Sequence, residues 1–358
     1  MKGLPFQSFV LAAAVCYSGV LTGAPLGRIL EWEYDLSSLP ASQSGGIATS
    51  AHVVMSNVVI TSAGLRSGLV VRSNGEIVPY GRVILPAWLT NVSAISIGET
   101  VVALKRDGTV TNFGGRDMTW ASTPPGLSNV VAVSAGTGHC LALKRDGVVV
   151  GWGDKRLSRG VPAGVTNIVA VGARPSINGR DIALKSDGTV LEWSLNGPIE
   201  AGRYPVMENG VVTGYTSKLV DVLAVDGLSN VVRIAIGDEY GAAGPARGFS
   251  LALKSDGTVF GWGANGQGQA TGITSTNAPF SDRGLVTVGG QLLSNVVAIA
   301  AGYYGLALKS DGAVVSWGYV GRRQVAVPGG LGHVVAIAAE GNSYYALVTN
   351  SDEPSAGK

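Results

Sequence analysis

The sequence predicts an all-β fold, a seven-bladed β-propeller whose short antiparallel blades have three to four strands. The main basis is a phrase that returns seven times along the 358 residues: an Asn-Val-Val run, an Ala-Leu-Lys run, an Asp-Gly pair and an aromatic residue six positions after the Asp. Such a period indicates one supersecondary unit repeated around an axis or along a solenoid. The second basis is an incomplete last unit, because a segment that matches its missing strand lies near the start of the chain.

Six of the seven units begin at an asparagine, and each complete unit contains three predicted strands. The unit starts are Asn57, Asn91, Asn129, Asn167, Asn230 and Asn295, with His333 in the same position of the last unit. The starts are 34, 38, 38, 63, 65 and 38 residues apart, so two copies are enlarged. A β-branched apolar run such as residues 130–133 predicts a buried first strand, and Leu-Ala-Leu-Lys predicts a second. The third strand runs to the aromatic residue.

An Asp-Gly pair separates the second and third strands. The pairs are Asp107-Gly108, Asp146-Gly147, Asp187-Gly188, Asp256-Gly257 and Asp311-Gly312, with Asn74-Gly75 in the first unit. Between apolar strands such a dipeptide favours a two-residue hairpin in a type I′ turn, with positive φ at both central residues. Turn chemistry accounts for the recurring aspartates. The lysine before each turn is interpreted as a solvated strand end.

The aromatic residues stand at one phase of the repeat. They are Tyr80, Phe113, Trp152, Trp193, Trp262 and Trp317, and their regular spacing predicts packing between neighbouring sheets rather than ligand stacking. The last unit lacks a third strand, whereas residues 27–32 (GRILEW) match residues 188–193 (GTVLEW). Trp32 would then be the seventh aromatic residue. We therefore expect the N-terminal strand of the mature chain to close the last blade, which removes exposed sheet edges.

The phrases GLSNVVAVSAG (126–136), LALKSDGTVFGWG (251–263) and GLSNVVRIAIG (227–237) resemble the regulator of chromosome condensation repeat family. This resemblance implies a seven-bladed β-propeller closed by a shared terminal blade. The short unit is most similar to the compact secreted bacterial branch, which includes a β-lactamase inhibitory protein; the eukaryotic branch includes exchange factors for a small GTPase. The family's histidine before the Leu-Ala-Leu strand is present only as His139. Neither the residues that contact a GTPase nor those that contact a β-lactamase can be assigned in this sequence by motif. The resemblance therefore implies the fold alone.

Residues 1–24 are predicted to be a secretory signal peptide, with Lys2 at its start, an apolar centre at 9–15 and a small-residue end at 22–24. We expect one propeller domain at 25–350, a short disordered tail at 351–358, and a monomer that is secreted, periplasmic or at the cell surface. No membrane insertion is expected after removal of the signal. The mature chain keeps Cys140 as its single cysteine, which is interpreted as a buried small hydrophobe.

The sequence carries no recognisable catalytic or cofactor motif. The formal net charge is +2 with no basic block, which argues against nucleic acid as a partner. His52, His139 and His333 lie in separate units without metal-ligand spacing. Residues 261–266 satisfy a dinucleotide-binding pattern, but no helix is expected after them. We therefore predict no cofactor, no metal and no enzymatic activity.

The candidate binding site lies where the repeat is interrupted. Long loops at 172–181, 195–226, 237–249 and 264–291 belong to units four and five, and all are predicted to project opposite the Asp-Gly turns. Tyr and Arg, which are over-represented in interface hot spots, recur in these loops. The candidate residues are Arg203, Tyr204, Tyr215, Tyr240, Arg247 and Arg283, with Tyr303 and Tyr304 of unit six; Arg174 and Arg180 lie in the same loops.

These features favour a secreted, non-catalytic binding scaffold for a protein partner. A more specific version is an inhibitor of a secreted or periplasmic enzyme. Two other classes stay open at this point. One is a polysaccharide-directed enzyme with a site in the central channel, which would need convergent polar residues at the inner strand ends. The other is a structural component of a larger surface assembly.

Overall fold

The structure is a computed structural model. It describes residues 27–34, 47–55, 58–64, 67–72, 76–81, 85–114, 122–154, 160–174, 179–194, 199–208, 211–238, 248–276, 281–320, 323–324, 326–329, 331–341 and 343–349. The predicted signal peptide (1–24) and tail (351–358) lie outside these ranges. None of the described residues form a helix that is long and apolar enough to cross a membrane.

The described residues form β-strands joined by turns and loops. In chain order the strands are β1 (Gly27–Tyr34), β2 (Ile47–Met55), β3 (Val58–Gly64), β4 (Ser67–Arg72), β5 (Ile77–Gly81), β6 (Val92–Ile97), β7 (Val101–Lys105), β8 (Val110–Phe113), β9 (Val130–Ala135), β10 (His139–Lys144), β11 (Val149–Gly153), β12 (Ile168–Gly172), β13 (Asp181–Lys185), β14 (Val190–Trp193), β15 (Ile199–Glu208), β16 (Val211–Val220), β17 (Val222–Ala224), β18 (Val231–Gly237), β19 (Phe249–Lys254), β20 (Val259–Ala264), β21 (Ser281–Leu285), β22 (Thr287–Val288), β23 (Gln291–Leu292), β24 (Val296–Ala301), β25 (Gly305–Lys309), β26 (Val314–Trp317), β27 (Tyr319–Val320), β28 (Arg323–Gln324), β29 (Val334–Glu340) and β30 (Ser343–Thr349). The prediction of an all-β fold is confirmed.

The repeats form antiparallel sheets of three or four strands. In strand order these sheets are β3-β4-β5, β6-β7-β8, β11-β10-β9, β12-β13-β14-β17, β18-β19-β20-β21, β24-β25-β26 and β2-β1-β30-β29. Two-stranded ribbons β15-β16, β22-β23 and β27-β28 are inserted between them. The first strand of each repeat contacts the first strand of the next along the described chain, from β3 through β6, β9, β12, β18 and β24 to β29, and β29 also contacts β3. These strands therefore surround a common axis.

Strand β1 lies inside the last sheet, at the position that the GRILEW match predicts. It pairs antiparallel with β30 on one side and with β2 on the other. The register places Trp32 opposite Tyr344 of β30, as Trp193 stands opposite Asp181 in the fourth repeat. A segment from the start of the chain is thus hydrogen-bonded between two strands, so that neither of its edges is free.

The aromatic residues are core residues, as predicted. Phe113, Trp152, Trp193, Trp262 and Trp317 are each at most 9% exposed. Trp193 belongs to an apolar cluster that combines side chains of β10 with side chains of the next sheet, and the other clusters likewise join neighbouring sheets. The side chains of Tyr80 and Trp32 are not among those that the structure describes.

The Asp-Gly turns differ from the predicted type I′ geometry. Gly108 has a φ of 80°, but Asp107 is absent from the residues of positive φ, as are the other turn aspartates. The Gly108 amide donates to the Lys105 carbonyl, and the Lys105 amide donates to the Thr109 carbonyl. This is the three-residue hairpin in which a type I turn precedes a left-handed residue at a bulge. Asp-Gly suits both turns, and here the side chain decides, because Asp107 Oδ1 accepts from the Thr109 amide at 2.9 Å.

The same hydrogen bonds shift the acidity of the turn aspartates. The backbone and side chain of Thr189, together with Lys185, lower the pKa of Asp187 to about 2. The pKa of Asp107, Asp146 and Asp256 is also lowered, in each case mainly by hydrogen bonds from the residue two positions later. These carboxylates are structural parts of their turns.

The residue that opens each of repeats two to seven, an asparagine or, in the last, His333, has a left-handed backbone. The φ values are 58° at Asn91, 57° at Asn129, 58° at Asn167, 57° at Asn230, 58° at Asn295 and 54° at His333. Asparagine, aspartate and histidine adopt this region more readily than other residues with a side chain. The Asn91 carbonyl accepts from the turn of its own repeat, and the Gly108 carbonyl of that turn accepts from the Val130 amide of the next repeat. The asparagine and the Asp-Gly turn therefore form one joint between consecutive sheets.

Candidate functional site

The molecule has two faces with different connections. We call the face with the Asp-Gly turns and the repeat asparagines the turn face. The opposite face, which we call the loop face, carries the connections from first to second strands and the ends of the third strands. The loops at 172–181 and 237–249 belong to the loop face, although residues 175–178 and 239–247 lie outside the described residues.

A long β-hairpin is the largest described insertion on the loop face. Strands β15 and β16 have ten residues each and pair antiparallel. The hairpin is inserted between β14 and β17, at the Trp193 end of the sheet and away from the Asp187-Gly188 turn. Its register places Arg203 opposite Ser217, Tyr204 opposite Thr216 and Pro205 opposite Tyr215. Three predicted site residues therefore lie on one hairpin, within three paired positions.

The other predicted site residues have different positions. Arg283 is exposed in β21, the outermost strand of its sheet, where it stands opposite Trp262. Residues 264–291 therefore run from the loop face along this edge toward the turn face, rather than projecting wholly from the loop face as predicted. Tyr303 is half-buried against the core. Tyr240 and Arg247 lie outside the described residues.

The prediction that Tyr304 extends the binding face is wrong. Its side chain is fully buried, in a cluster that includes Leu306 and Tyr344. Tyr344 Oη lies 2.9 Å from the Tyr304 amide, which donates to it. Tyr304 occupies the place just before β25 that His139 occupies at the start of β10, and in both repeats this residue points into the junction between sheets.

Arg174 is also a structural residue rather than a surface one. It is 4% exposed and joins the fourth sheet to its neighbours. Its amide donates to Asp181 Oδ1 at 3.0 Å, its Nε donates to the Arg180 carbonyl at 2.6 Å, and its Nη2 lies 3.5 Å from Ser250 Oγ in the fifth sheet. Its carbonyl accepts from the Thr137 amide in the third sheet.

Glycines make room for the buried arginine. A Cβ at Gly136 would meet the Arg174 carbonyl oxygen, and a Cβ at Gly179 or Gly248 would meet its side chain. Gly248 also has a φ of 81°. Side chains at these three positions would therefore displace Arg174 from its contacts.

Glu192 is the second buried centre of this junction. It is 3% exposed in β14 and accepts from Arg180 Nη1 at 2.8 Å and from Trp262 Nε1 at 2.7 Å. Because Trp262 belongs to β20, this carboxylate joins the fourth and fifth sheets. We call His139, Arg174, Arg180, Asp181, Glu192, Ser250 and Trp262 together the interblade network.

The interblade network contains a buried histidine–carboxylate pair. His139 Nε2 lies 2.8 Å from Asp181 Oδ1, and both side chains are less than a tenth exposed. Burial alone would lower the pKa of His139, but the Asp181 charge and hydrogen bonds with Asp181 and Thr137 outweigh it, so the pKa is raised from 6.5. Burial lowers the pKa of Arg174, partly offset by Glu192 and Asp181. Together with the neutral contacts of Trp262 and Ser250, these charges join three sheets beneath the elaborated loops.

Sequence reasoning missed Glu192 as a functional or structural centre. A signal was nevertheless present, since the residue just before the aromatic position is Pro79, Asn112, Gly151, Gly261 or Ser316 in five other repeats and a glutamate only at Glu192 and Glu31. A glutamate at a position that most repeats fill with small or neutral residues indicates a local partner. The partner itself, Trp262 Nε1, lies 70 residues away and is brought close only by the ring of sheets.

The segment after β20 is organised around Asn265. Its side-chain oxygen accepts from the Ala270 and Thr271 amides, and its Nδ2 donates to Thr271 Oγ1 and to the Ile273 carbonyl. The apparent dinucleotide pattern at 261–266 is thus the end of a strand followed by a turn, with no helix after it in the described stretch 264–276. No group of three or more potential metal ligands occurs among the residues that the structure describes.

Cys140 is buried and unsuited to nucleophilic chemistry. Burial raises the pKa of its thiol to about 12, although a hydrogen bond from Asn112 opposes the shift. Asn112 Nδ2 lies 3.5 Å from Cys140 Sγ and belongs to the preceding sheet. The interpretation of Cys140 as a core residue is confirmed.

Comparison with known proteins agrees with this architecture. The sequence profile of the regulator of chromosome condensation (RCC1) repeat matches residues 130–155 and 231–269. These two segments lie in the third and fifth repeats of the structure. Protein pim1 of Schizosaccharomyces pombe is 28% identical over 242 residues, which are 59% of this chain and 41% of pim1. The RCC1-like chain thus matches less than half the length of that relative.

Solved RCC1 structures share the fold over almost the whole chain. Prp20p from Saccharomyces cerevisiae, characterised for its binding to Gsp1p and histones, has a TM-score of 0.62 at 16% identity and covers 94% of both chains. Yeast RCC1 (Prp20) in complex with Kap60 has a TM-score of 0.60 at 16% identity, covering 98% of this chain and 95% of that one. At this identity the similarity shows the fold, an RCC1-type β-propeller.

Proposed function

We propose that this RCC1-type propeller is a secreted, non-catalytic scaffold that binds a protein partner through the loop face of repeats four to six. The observation that carries the proposal is the β15-β16 hairpin, which bears Arg203, Tyr204 and Tyr215 and interrupts an otherwise regular sheet. Loops on a rigid framework are the usual location of binding sites. Proteins bound by structural relatives, such as Gsp1p and Kap60, are consistent with a binding role.

The interblade network supports this proposal because it stiffens the base of the same face. Arg174 begins one of the long loops, and Gly248, which ends another, lies against its side chain. Rigid attachment reduces the conformational entropy that a binding loop loses on association. The loop face thus combines long loops with a base that the interblade network holds in place, which suits it to binding a specific partner.

Inhibition of a secreted or periplasmic enzyme is the specific version of the proposed function. A hairpin with ten residues in each strand is long enough to enter an active-site cleft. The polysaccharide-directed alternative would require a pair of carboxylates in the channel. The described cavity on the axis is lined by a single carboxylate, that of Asp256, which is already engaged by Thr258. The binding role is therefore the better supported function.

The test compares three forms of the mature protein as bait for secreted and cell-surface proteins. One is the wild type, one carries Arg203→Ala, Tyr204→Ala and Tyr215→Ala, and the control carries Arg106→Ala in a turn on the opposite face. A captured protein is then purified, and its dissociation constant is measured with each form. We expect the triple variant to bind at least about tenfold more weakly and the control to bind like the wild type.

Equal binding by the triple variant and the wild type would reject the hairpin as the site. Secretion is tested separately, by expressing the full chain and a chain that begins at residue 25 and following where each accumulates. Inhibition is then measured directly, by adding the propeller to a captured enzyme and its substrate. Turnover of a glycan panel by the purified propeller would instead favour the enzyme.

A further inference from the structure

A cavity opens on the axis at the turn face, opposite the proposed loop-face site. Its volume is about 910 Å³, and repeats three to six line it. The wall consists of residues from first strands, such as Val131, Val169, Val232 and Val297, and the rim consists of residues at second-strand ends and turns. This volume lies within the range of sites for small molecules or short peptide segments.

The wall of the cavity is apolar and exposed. Val169, Val232 and Val297 are 41%, 50% and 45% exposed, and each is the second residue of its first strand. The same position in the second repeat holds Ser93. The exposed valines belong to three consecutive repeats, so they form one apolar surface on one side of the axis.

The rim of the cavity is cationic. The lining residues include Lys144, Arg145 and Lys254 on the rim and Arg233 on the first strand β18, against the single carboxylate of Asp256. Lys144 Nζ lies 3.2 Å from Asp146, and Lys254 Nζ lies 3.5 Å from Asp256. Both lysine side chains keep at least a quarter of their surface exposed. Anionic groups placed over the apolar wall would therefore find cations within reach.

We infer that this cavity binds an acidic peptide segment with aliphatic side chains, supplied by a protein partner. Carboxylates of the segment meet the lysine and arginine rim, and its aliphatic side chains cover the exposed valines. Single-stranded nucleic acid, which is also anionic, would need aromatic stacking surfaces, and the cavity lining contains no aromatic residue. Because this cavity and the loop-face hairpin lie on opposite faces, the propeller would bridge two binding events.

The test uses an array of synthetic peptides in which acidic and aliphatic residues are randomised, with a matched array that has lysine in place of the acidic residues. The folded mature protein is applied to both, and the best peptide is labelled for anisotropy titration at low and high salt. The binding variants are Arg145→Glu and Val232→Ser. Their matched controls are Arg106→Glu, the equivalent turn position of the second repeat, and Val148→Ser, an exposed valine outside the cavity lining.

We expect peptides that combine acidic and aliphatic residues to bind, with affinity that falls as salt screens the charges. Each binding variant should lose about tenfold in affinity, and each control should bind like the wild type. All four positions are exposed or half-exposed, and a circular dichroism spectrum confirms that each variant is folded. Equal binding of the lysine array, equal binding of acidic peptides without aliphatic residues, or no loss in either binding variant would overturn the inference. None of these outcomes depends on the hairpin.

Discussion

Glu192 and Trp262 form the most informative single contact between sheets. Other buried tryptophans occupy the same phase of the repeat with different indole environments. Trp317 Nε1 donates to the Gln269 carbonyl at 2.9 Å. Trp193 Nε1 has no hydrogen-bond partner among the described residues. Substitutions of Trp262, Trp317 and Trp193 can therefore be compared to measure how much a hydrogen bond to a buried carboxylate adds to the free energy of unfolding.

We expect Trp262→Phe to destabilise the protein more than Trp193→Phe. Both changes remove similar volume from the core, but only Trp262→Phe removes a donor from a buried carboxylate, which adds about 1–3 kcal/mol. Trp317→Phe, which loses a bond to a neutral carbonyl, should fall between them. The free energy of unfolding from urea titrations decides the order, and equal losses for Trp262→Phe and Trp193→Phe would show that the Glu192 contact contributes nothing.

The pair formed by His139 and Asp181 makes stability depend on pH. Since the folded-state pKa of His139 is raised above 6.5, the folded protein holds this proton more tightly than the unfolded chain does. The contribution of the His139–Asp181 pair to the free energy of unfolding is complete below pH 6.5 and is lost as pH rises through the folded-state pKa of His139. We therefore expect the urea midpoint to fall over this range. His139→Gln should flatten the fall, whereas His333→Gln, at an exposed site on the turn face, should leave it in place. A wild-type midpoint that rises across the same range would contradict the pairing.

Regular strands were predictable because each carries its own local pattern. The Asn-Val-Val and Leu-Ala-Leu runs predict buried strands, and the asparagines that open repeats two to six have positive φ. The turn type was not predictable, because Asp-Gly suits both the two-residue type I′ hairpin and the three-residue hairpin with a bulge. The β15-β16 hairpin was predicted only as a loop, since its first strand (IEAGRYPVME) contains Gly and Pro and lacks a clean alternation.

The candidate site was predictable in part, because interruptions of the repeat are visible in the local sequence whereas burial against a neighbouring sheet is not. Interruptions of the repeat located the loops, including the segment that became the hairpin. Composition did not distinguish a surface tyrosine from Tyr304, or a surface arginine from Arg174, because burial of these residues depends on the neighbouring sheet. Contacts between residues 40 or 76 positions apart bury them. Such contacts follow from the packing of sheets around the axis and leave no mark in local sequence.

Strand β1 allows the contribution of one element to be measured. Deleting residues 25–34 removes the strand between β30 and β2 and leaves both with unpaired backbone groups. We expect a loss of several kcal/mol, which corresponds to roughly 10 °C in melting temperature. Replacing residues 27–32 with GTVLEW, the equivalent strand of the fourth repeat, should keep most of the stability. A synthetic peptide of residues 25–34 should raise the melting temperature of the deleted form. An unchanged melting curve after deletion would reject the closing role.

The whole molecule differs from an open repeat array in how it should unfold. In a linear solenoid, terminal repeats contact one neighbour and unfold first. Here the first strand of each repeat contacts the first strand of the next, and β29 of the last repeat contacts β3 of the first, so the series is closed. No repeat in such a series has a free end, so separating any two sheets disturbs the rest. Unfolding of the intact protein is therefore expected to be cooperative.

Cys140 provides a probe of that cooperativity. In a chain that begins at residue 25 it is the only cysteine, and its thiol is buried at the junction between the second and third sheets, where its pKa is raised to about 12. We expect no reaction with a thiol reagent under native conditions at neutral pH. Across a denaturant titration, labelling of Cys140, tryptophan fluorescence and circular dichroism should give one midpoint. Deletion of residues 25–34 should separate these midpoints, because the ring then has ends. Labelling of the intact chain well below the global transition would instead mean that the third repeat opens on its own.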